Sequence, residues 1–274
     1  MIKLNALFTE DERKSLSRAE SYLLSRLSEE RREIFTSRDV IRVLGKSYAE
    51  SRKIISNLKA KRWIERLEAG KYLIIPLSAG VKPKYTEHEF IIGSKLAEPY
   101  YIGYWNALNY YHLTEQIPFS VFIAITKRKS NRKILDVNYV FVTLTRKKFF
   151  GYTAVNIAGK NINISDKEKT IADCMDYPEY CGDITEVAKA LKSEDISFRK
   201  IVDYAIKMGN ATIIKRLGYL SETLNIGLDE KLKKKMLENI SKGYSVLDTS
   251  IKSRKGKYNE RWKLLINRKI GEES

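Results

Sequence analysis

The sequence has few of the residues that build metal centres and cross-links, because its 274 residues include only two histidines and two cysteines. His88 and His112 are far apart, and neither stands at a spacing that metal ligands use. Cys174 and Cys181 are separated by six residues, which fits no common zinc motif. In a reducing compartment we expect both cysteines to be small packing residues and not a disulfide. We therefore expect no bound metal and no cofactor.

The sequence also lacks a secretory signal, a glycine-rich phosphate loop and any run of about 18 apolar residues. These absences predict a cytoplasmic protein with no membrane partner. They also leave no constellation of residues for catalysis, so we expect that the protein is not an enzyme. Hydrophobic residues make up 43% of the chain and charged residues 31%, an ordinary globular composition. The length fits two domains at about 150 residues each.

Positive charge is in excess, and the excess is unevenly distributed. The net charge is +17, and residues 36–76, 77–164 and 241–274 carry +6, +7 and +5 of it. Residues 1–35 are neutral, and residues 165–240 carry a net charge of −1. Surfaces this basic attract polyanions, whereas the near-neutral helical segment is suited to packing or to a protein partner.

The segment 36–76 has the sequence form of a winged helix-turn-helix. A short amphipathic helix ends at Gly45, Ser47 caps a second helix, and strand-like runs at 63–67 and 71–75 form a tight basic hairpin. Another helix is predicted before it, at residues 9–28 with Thr9 as its N-cap. We assign residues 1–76 to this domain.

The second helix of this segment is the predicted DNA reader. If Ile54, Ile55 and Leu58 face the core, helical geometry turns the polar residues between them outward. Arg52 can donate two hydrogen bonds to guanine, and Asn57 can pair with adenine, while the lysines suit phosphates. The predicted DNA-binding residues are Lys46, Ser47, Tyr48, Arg52, Lys53, Ser56, Asn57, Lys59, Lys61, Arg62, Arg66 and Lys71. The alternative is a winged helix that serves only protein packing.

Residues 77–274 are predicted to form an α+β effector domain, a mixed α/β region followed by a helical C-terminal part. Strand-like runs rich in Val, Ile, Phe and Tyr lie at 119–126, 137–145, 149–157 and 161–164. Before these runs we predict helices at 87–96 and 105–112. Later helical patterns lie at 166–175, 184–191, 198–207, 211–224 and 228–239. The fold class is therefore α+β, with an N-terminal winged helix-turn-helix.

Two basic loops, 127–133 and 252–257, lie outside the predicted reader. They either extend the DNA footprint, receive an acidic or RNA-bearing partner, or are solvated loop tips. The residues concerned are Lys127, Arg128, Lys129, Arg132, Lys133, Arg254, Lys255 and Lys257.

Acidic residues at 166–176 offer the one enzymatic alternative. Asp166, Glu168 and Lys169 resemble the carboxylates and lysine of a metal-dependent nuclease site. Acids near a helix start are also stabilised by the helix dipole, and Asp173 and Asp176 stand one turn apart as on any polar helix face. The structural interpretation is the one we favour.

Four further stretches stand out along the chain: WIER (63–66) with GKY (70–72), YIGYWNAL (101–108), SDKEKTIAD (165–173) with PEYCGD (178–183), and GKYN (256–259) leading to RW (261–262). In this order they resemble the AbiEi family, the antitoxin and transcriptional repressor of type IV toxin–antitoxin (abortive infection) systems. Together they span nearly the whole chain, although each motif alone is weakly specific.

The resemblance implies a DNA-binding N-terminal domain that represses its own operon at inverted repeats, which a homodimer would occupy. It further implies a C-terminal domain that counters a nucleotidyltransferase-like toxin. A DNA-binding regulator without a toxin partner is the alternative.

Overall fold

The structure, a computed structural model, describes residues 12–82 and 87–271 of the chain. It is mixed α+β and divides into two compact units, Met1–His88 and Glu89–Ser274. The boundary expected from the sequence was Pro76. Thr9, the predicted N-cap of the first helix, lies outside the described residues. The predicted start of this helix was wrong, because residues 12–17 are not helical and the helix begins at Arg18 after the N-cap Ser17.

The first unit combines three helices with a small antiparallel sheet. Its elements are α1 (Arg18–Glu29), β1 (Ile34–Thr36), α2 (Ser37–Leu44), α3 (Tyr48–Ala60), β2 (Ile64–Glu68) and β3 (Lys71–Ile74). The sheet has the order β1-β3-β2, and a 3-10 helix, Leu77–Ala79, follows it. The core packs Leu23 and Leu27 of α1 against Phe35, Val40 and Leu58.

Side-chain caps define where these helices begin. Ser17, Thr36 and Ser47 each accept a hydrogen bond from the backbone N–H three residues later, and the acid at that position accepts one in return. Gly45 ends α2 in the left-handed conformation, with φ 62°, as its sequence position predicts. The short β1 is absent from the sequence prediction.

The second unit is built on a six-stranded mixed sheet and a helical layer. Its first elements are α4 (Glu89–Ser94), β4 (Tyr100–Ile102), α5 (Tyr104–Tyr110), β5 (Ser120–Ile125), β6 (Arg132–Ile134), β7 (Val137–Thr143), β8 (Tyr152–Ile157) and β9 (Lys160–Ser165). The helices that follow are α6 (Lys167–Asp176), α7 (Ile184–Ala190), α8 (Phe198–Met208), α9 (Ala211–Thr223) and α10 (Glu230–Glu238). The last strands are β10 (Ser245–Val246), β11 (Lys257–Asn259) and β12 (Leu264–Ile266).

The large sheet has the strand order β6-β7-β5-β4-β9-β8. β5 pairs in parallel with β7, and β4 pairs in parallel with β9, while the other neighbours are antiparallel. Residues 121–125 of the central β5 are all buried, which explains their continuous apolar run. The short strands β4 and β6 were not predicted.

The C-terminal sheet, order β10-β12-β11, is fixed to the helical layer by buried side chains. Arg216 of α9 is buried and donates to the backbone oxygens of Met175 and Val246. Trp262 is fully buried against Gly218, where any Cβ would overlap the indole ring. Glycine is therefore required at position 218.

Cys174 and Cys181 form a disulfide, so the expectation of two reduced packing cysteines was wrong. The 3-10 helix Pro178–Tyr180 folds the chain back after α6 and brings the two Cα atoms to 5.9 Å. That separation lies in the range that disulfides need. Both cysteines are buried, as expected for packing residues. The expectation of reduced cysteines rested on the redox compartment and did not consider that a turn after α6 could bring the two side chains together.

Across residues 12–82 and 87–271, no helix has the length and apolar character needed to cross a bilayer.

Candidate functional site

The exposed face of α3 gathers the central residues of the predicted DNA-binding set. Ser51, Ile55 and Leu58 are buried and fix the helix on its core. The polar residues between them are exposed on the other side: Arg52, Lys53, Ser56 and Asn57. Ser47 stands at the N-cap, and Tyr48 begins the helix with 61% of its side chain exposed. The face can therefore present hydrogen-bond donors to a ligand.

Arg52 and Lys53 are the cations on this face with no acidic partner. In the described part of the chain neither side chain makes an ion pair. The Arg52 guanidinium instead lies 5.9 Å from the centre of the Tyr48 ring. Cation–π contacts at exposed sites are worth only about 0.5–1 kcal/mol, so Arg52 can leave the ring for a ligand.

Lys46 and Glu50 meet at the start of α3. Lys46 Nζ lies 3.1 Å from Glu50 Oε1, in an exposed ion pair that contributes little to stability. Hydrogen bonds from the Ser47 side chain, Lys46 and the Ser47 backbone lower the pKa of Glu50 to about 2. The capping carboxylate is therefore charged at neutral pH, and Lys46 remains at the surface.

Lys61 was predicted to contact phosphate, yet the structure places it in a structural ion pair. Its Nζ lies 2.6 Å from Oε2 of Glu20, a carboxylate that is 98% removed from solvent at its side chain. Burial alone would raise the pKa of Glu20, but hydrogen bonds from Lys61 and Ser17 outweigh it and lower that pKa. Lys61 thus fixes the end of α3 to α1.

The remaining predicted residues of this unit lie at the end of α3 and on the hairpin. Lys59 pairs loosely with Glu65 at 3.8 Å, and Arg62 is exposed in a left-handed backbone conformation. Arg66 is exposed on β2. Lys71 begins β3, and its Nζ lies 2.8 Å from Oε1 of Glu68. These cations lie at the surface in or beside the hairpin.

The basic segment 127–133 is only partly a loop. Arg132 and Lys133 belong to the edge strand β6, because their backbones pair with β7. Lys129 is half-buried and donates to the backbone oxygen of Leu96. Lys127 and Arg128 are exposed in the turn before it. A shallow cavity of about 370 Å³ opens at this edge, lined by Ser120, Asn131, Arg132, Lys133, Asn138 and Val140.

The acids at the start of α6 are held by side chains of α8. Asp166 is the N-cap of α6, and it also accepts a hydrogen bond from the Tyr204 hydroxyl at 2.9 Å. Glu168 accepts one from Lys200 at 2.8 Å, and Lys200 lies 3.3 Å from Asp166. These contacts join two helices.

The other two acids of α6 are deeper and are also paired. Asp173 accepts hydrogen bonds from Lys169 and from the Tyr101 hydroxyl, and all three side chains are fully buried. Asp176 accepts from Lys148 at 2.5 Å and from Asn210 at 2.6 Å. Among the described residues, no three His, Cys, Asp or Glu side chains are arranged to hold a metal ion.

The region of the C-terminal sheet holds two tyrosines that the predicted set omits, together with three cations that it includes. Tyr244 and Tyr258 are exposed and in ring contact, with centroids 4.8 Å apart. Arg254 and Lys255 are exposed in the preceding loop, and Lys257 is exposed on β11. The interleaving of tyrosine with lysine and arginine over 242–258 is the sequence signal that could have located this surface.

Comparison with known proteins defines this chain by its fold. No protein-family model matches the sequence. No curated protein matches it either. The crystal structure of the RV2827C protein from Mycobacterium tuberculosis is similar, with a TM-score of 0.64 over 92% of each chain at 14% identity. At that identity the likeness concerns the fold alone.

Proposed function

We propose that the first unit is a winged helix-turn-helix and that the protein is a sequence-specific DNA-binding transcriptional repressor. The observation that carries the proposal is the exposed face of α3, where Arg52 and Lys53 have no acidic partner. Their neighbours Ser56 and Asn57 add donors and acceptors at helical spacing. An α-helix with its side chains is about 10–12 Å across, so α3 can enter a major groove about 12 Å wide.

Base contacts and phosphate contacts fall to different residues in this proposal. Arg52 donates to the O6 and N7 acceptors of guanine, and Asn57 pairs with adenine. Lys46, Lys59, Arg66 and Lys71 contact the backbone, as do Arg62 and Lys53. Lys61 is left out, because its ammonium group is engaged by Glu20. Phosphate contacts supply salt-dependent affinity, whereas base contacts supply sequence choice.

Binding as a homodimer to an inverted repeat is part of the proposal, because one small reading surface covers few base pairs. A mobility-shift assay on the DNA upstream of the protein's own gene tests it. We expect a selective shift that weakens steeply with salt, and a repeat of half-sites in the protected region. Binding that is indifferent to sequence, or absent, would refute the repressor.

We further propose that the protein is an antitoxin of the AbiEi type, whose second unit counters a nucleotidyltransferase-like toxin. Support comes from the order of the four resembling stretches. Residues 101–108 and 165–173 are largely buried in the second unit, so these two stretches relate to its core. They do not themselves identify the partner surface.

Co-expression of the full chain with the product of a neighbouring gene tests the antitoxin. Rescue of growth from a toxic neighbour, retained in Arg52→Ala, supports antitoxicity that is independent of DNA reading. Failure to rescue, with selective DNA binding intact, leaves a regulator without a toxin partner.

A further inference from the structure

At the C-terminal sheet, two exposed tyrosines contact each other, and a lysine lies over one of their rings. Tyr258 lies on β11, and Lys263 lies in the turn before β12 with a left-handed backbone, φ 50°. Tyr244 enters β10 beside Lys263, whose Nζ lies 5.5 Å from the centre of the Tyr244 ring. The tyrosines are 42% and 64% exposed and meet edge to face at 76°. Their free ring surface faces solvent.

This pair of rings is held in place before any ligand arrives. Glu260 lies 3.0 Å from Lys263, and its hydrogen bond with the Tyr244 hydroxyl lowers the pKa of the carboxyl group. Arg216 of α9 holds β10, which follows Tyr244, by donating from Nη2 to the backbone oxygen of Val246 at 2.9 Å. Tyr244 and Tyr258 therefore form a fixed platform, and a fixed platform loses little conformational entropy when it binds a ligand.

Exposed cations lie close in sequence to the two tyrosines, and they lack acidic partners in the described part of the chain. Within the described residues, no ion pair involves any of the following exposed side chains: Lys242, Lys252, Arg254, Lys255 and Lys257. Two lysines of α10 differ, because Lys233 pairs with Glu230 and Lys235 pairs with Asp203. Five like charges without counter-charges make a local positive potential that favours a polyanion.

We propose that this face binds single-stranded nucleic acid. Unpaired bases stack on the rings of Tyr258 and Tyr244, and the backbone phosphates contact the surrounding cations. Rings and cations side by side are the combination that single-strand binding uses, because every base has a face that can stack. A duplex hides those base faces, so the site is distinct from the major-groove contact proposed for α3. The two proposals rest on different residues and stand independently.

Fluorescence anisotropy on the full-length chain tests the platform, with labelled oligouridylate and oligothymidylate as probes. We expect Tyr258→Ala to weaken binding about tenfold or more, because one stacked base is lost. Tyr258→Phe retains binding, since the ring and not the hydroxyl makes the contact. Tyr22→Ala, which removes a tyrosine that is 57% exposed on α1, is the matched control and leaves binding unchanged.

Charge reversal tests the phosphate contacts. The double variant Lys255→Glu with Lys257→Glu should weaken binding and flatten its salt dependence. Lys192→Glu with Lys234→Glu makes the same charge change on exposed helical and turn positions and serves as its control. Equal binding of both probes would support backbone-and-base recognition, and a preference for the ribose strand would assign the site to RNA.

Two results would overturn the proposal. One is an absence of oligonucleotide binding at low salt. The other is an affinity for oligonucleotides that does not change in Tyr258→Ala. If polyglutamate then binds as tightly as the oligonucleotides, the surface is assigned to an acidic protein. Arg52→Ala should leave single-strand binding unchanged, so failure of the duplex-reading proposal is recognised separately.

Discussion

The helices α3 and α6 carry many charges, but they use them differently. Each begins at a side-chain cap, Ser47 or Asp166. In α6 the charges are turned inward, and Lys169 and Asp173 form a fully buried pair. In α3 the charges are turned outward and include cations without an acidic partner. The number of charges on a helix therefore does not indicate a binding surface, whereas charges that lack an ion-pair partner do.

The largest effect is expected from breaking the buried pair of α6. Asp173→Ala leaves the Lys169 ammonium buried without its counter-charge and removes the acceptor of the Tyr101 hydroxyl. We expect the free energy of unfolding to fall by about 3–5 kcal/mol. Urea denaturation measures it. Asp195→Ala breaks an exposed pair with Lys167 and should cost about 0–1 kcal/mol. Equal losses would mean that burial does not distinguish these pairs.

Reduction of the Cys174–Cys181 disulfide comes next. The bond closes a short loop at the end of α6, and in the chain-entropy account this contributes about 2–3 kcal/mol. Denaturant unfolding with and without reductant measures the difference. The double variant Cys174→Ser with Cys181→Ser should not respond to reductant. If the wild-type chain does not respond either, the disulfide does not form in solution.

On α3, Arg52→Ala should affect DNA and not the fold. We expect discrimination between the operator and a scrambled duplex to fall by about 1–3 kcal/mol, since a bidentate base contact is lost. Lys61→Ala provides the opposite case. It leaves the buried Glu20 carboxylate without its counter-charge. It should therefore lower the free energy of unfolding and leave the selectivity for the operator unchanged. Paired duplex titrations and urea denaturation of both variants give the two readouts. If Arg52→Ala lowered stability and Lys61→Ala lowered selectivity, Arg52 would be the structural residue and Lys61 the DNA-reading residue.

The smallest effect is expected at the N-cap of α3. The pKa of Glu50 is lowered in the folded state, so its ionised form stabilises the fold above the ordinary value of 4.5. That stabilisation is lost as pH falls through about 2. Glu50→Gln should therefore be less stable than the wild type near neutral pH, and the difference should vanish toward pH 2. A difference that is constant with pH would contradict the ionised cap.

Local signals were sufficient for much of the first unit. Gly45 marks the end of α2, and Ser47 marks the start of α3. Both could be predicted, because a left-handed glycine and a capping hydroxyl affect only the few residues beside them. The short β1 was missed, since a strand of three residues shows no alternation. It is recognised only through its pairing with β3.

Contacts between distant residues could not be predicted. Lys61 and Glu20 are 41 positions apart, and nothing in either local pattern indicates that they pair. The same holds for Tyr101, whose hydroxyl reaches Asp173 across 72 positions. Such pairs decide which charges remain available to a ligand. The exposed residues of α3 were predicted from helical spacing, but the ion pair that engages Lys61 with Glu20 was not.

The most direct test reverses the charges of α3 and measures duplex binding over a range of salt. The variant is Arg52→Glu with Lys53→Glu, and its matched control is Lys231→Glu with Lys234→Glu on the exposed side of α10. We expect the α3 variant to lose selective operator binding and the control to retain it with the wild-type salt slope. Equal loss in both variants would mean that net charge alone binds DNA, and would contradict a reading face on α3.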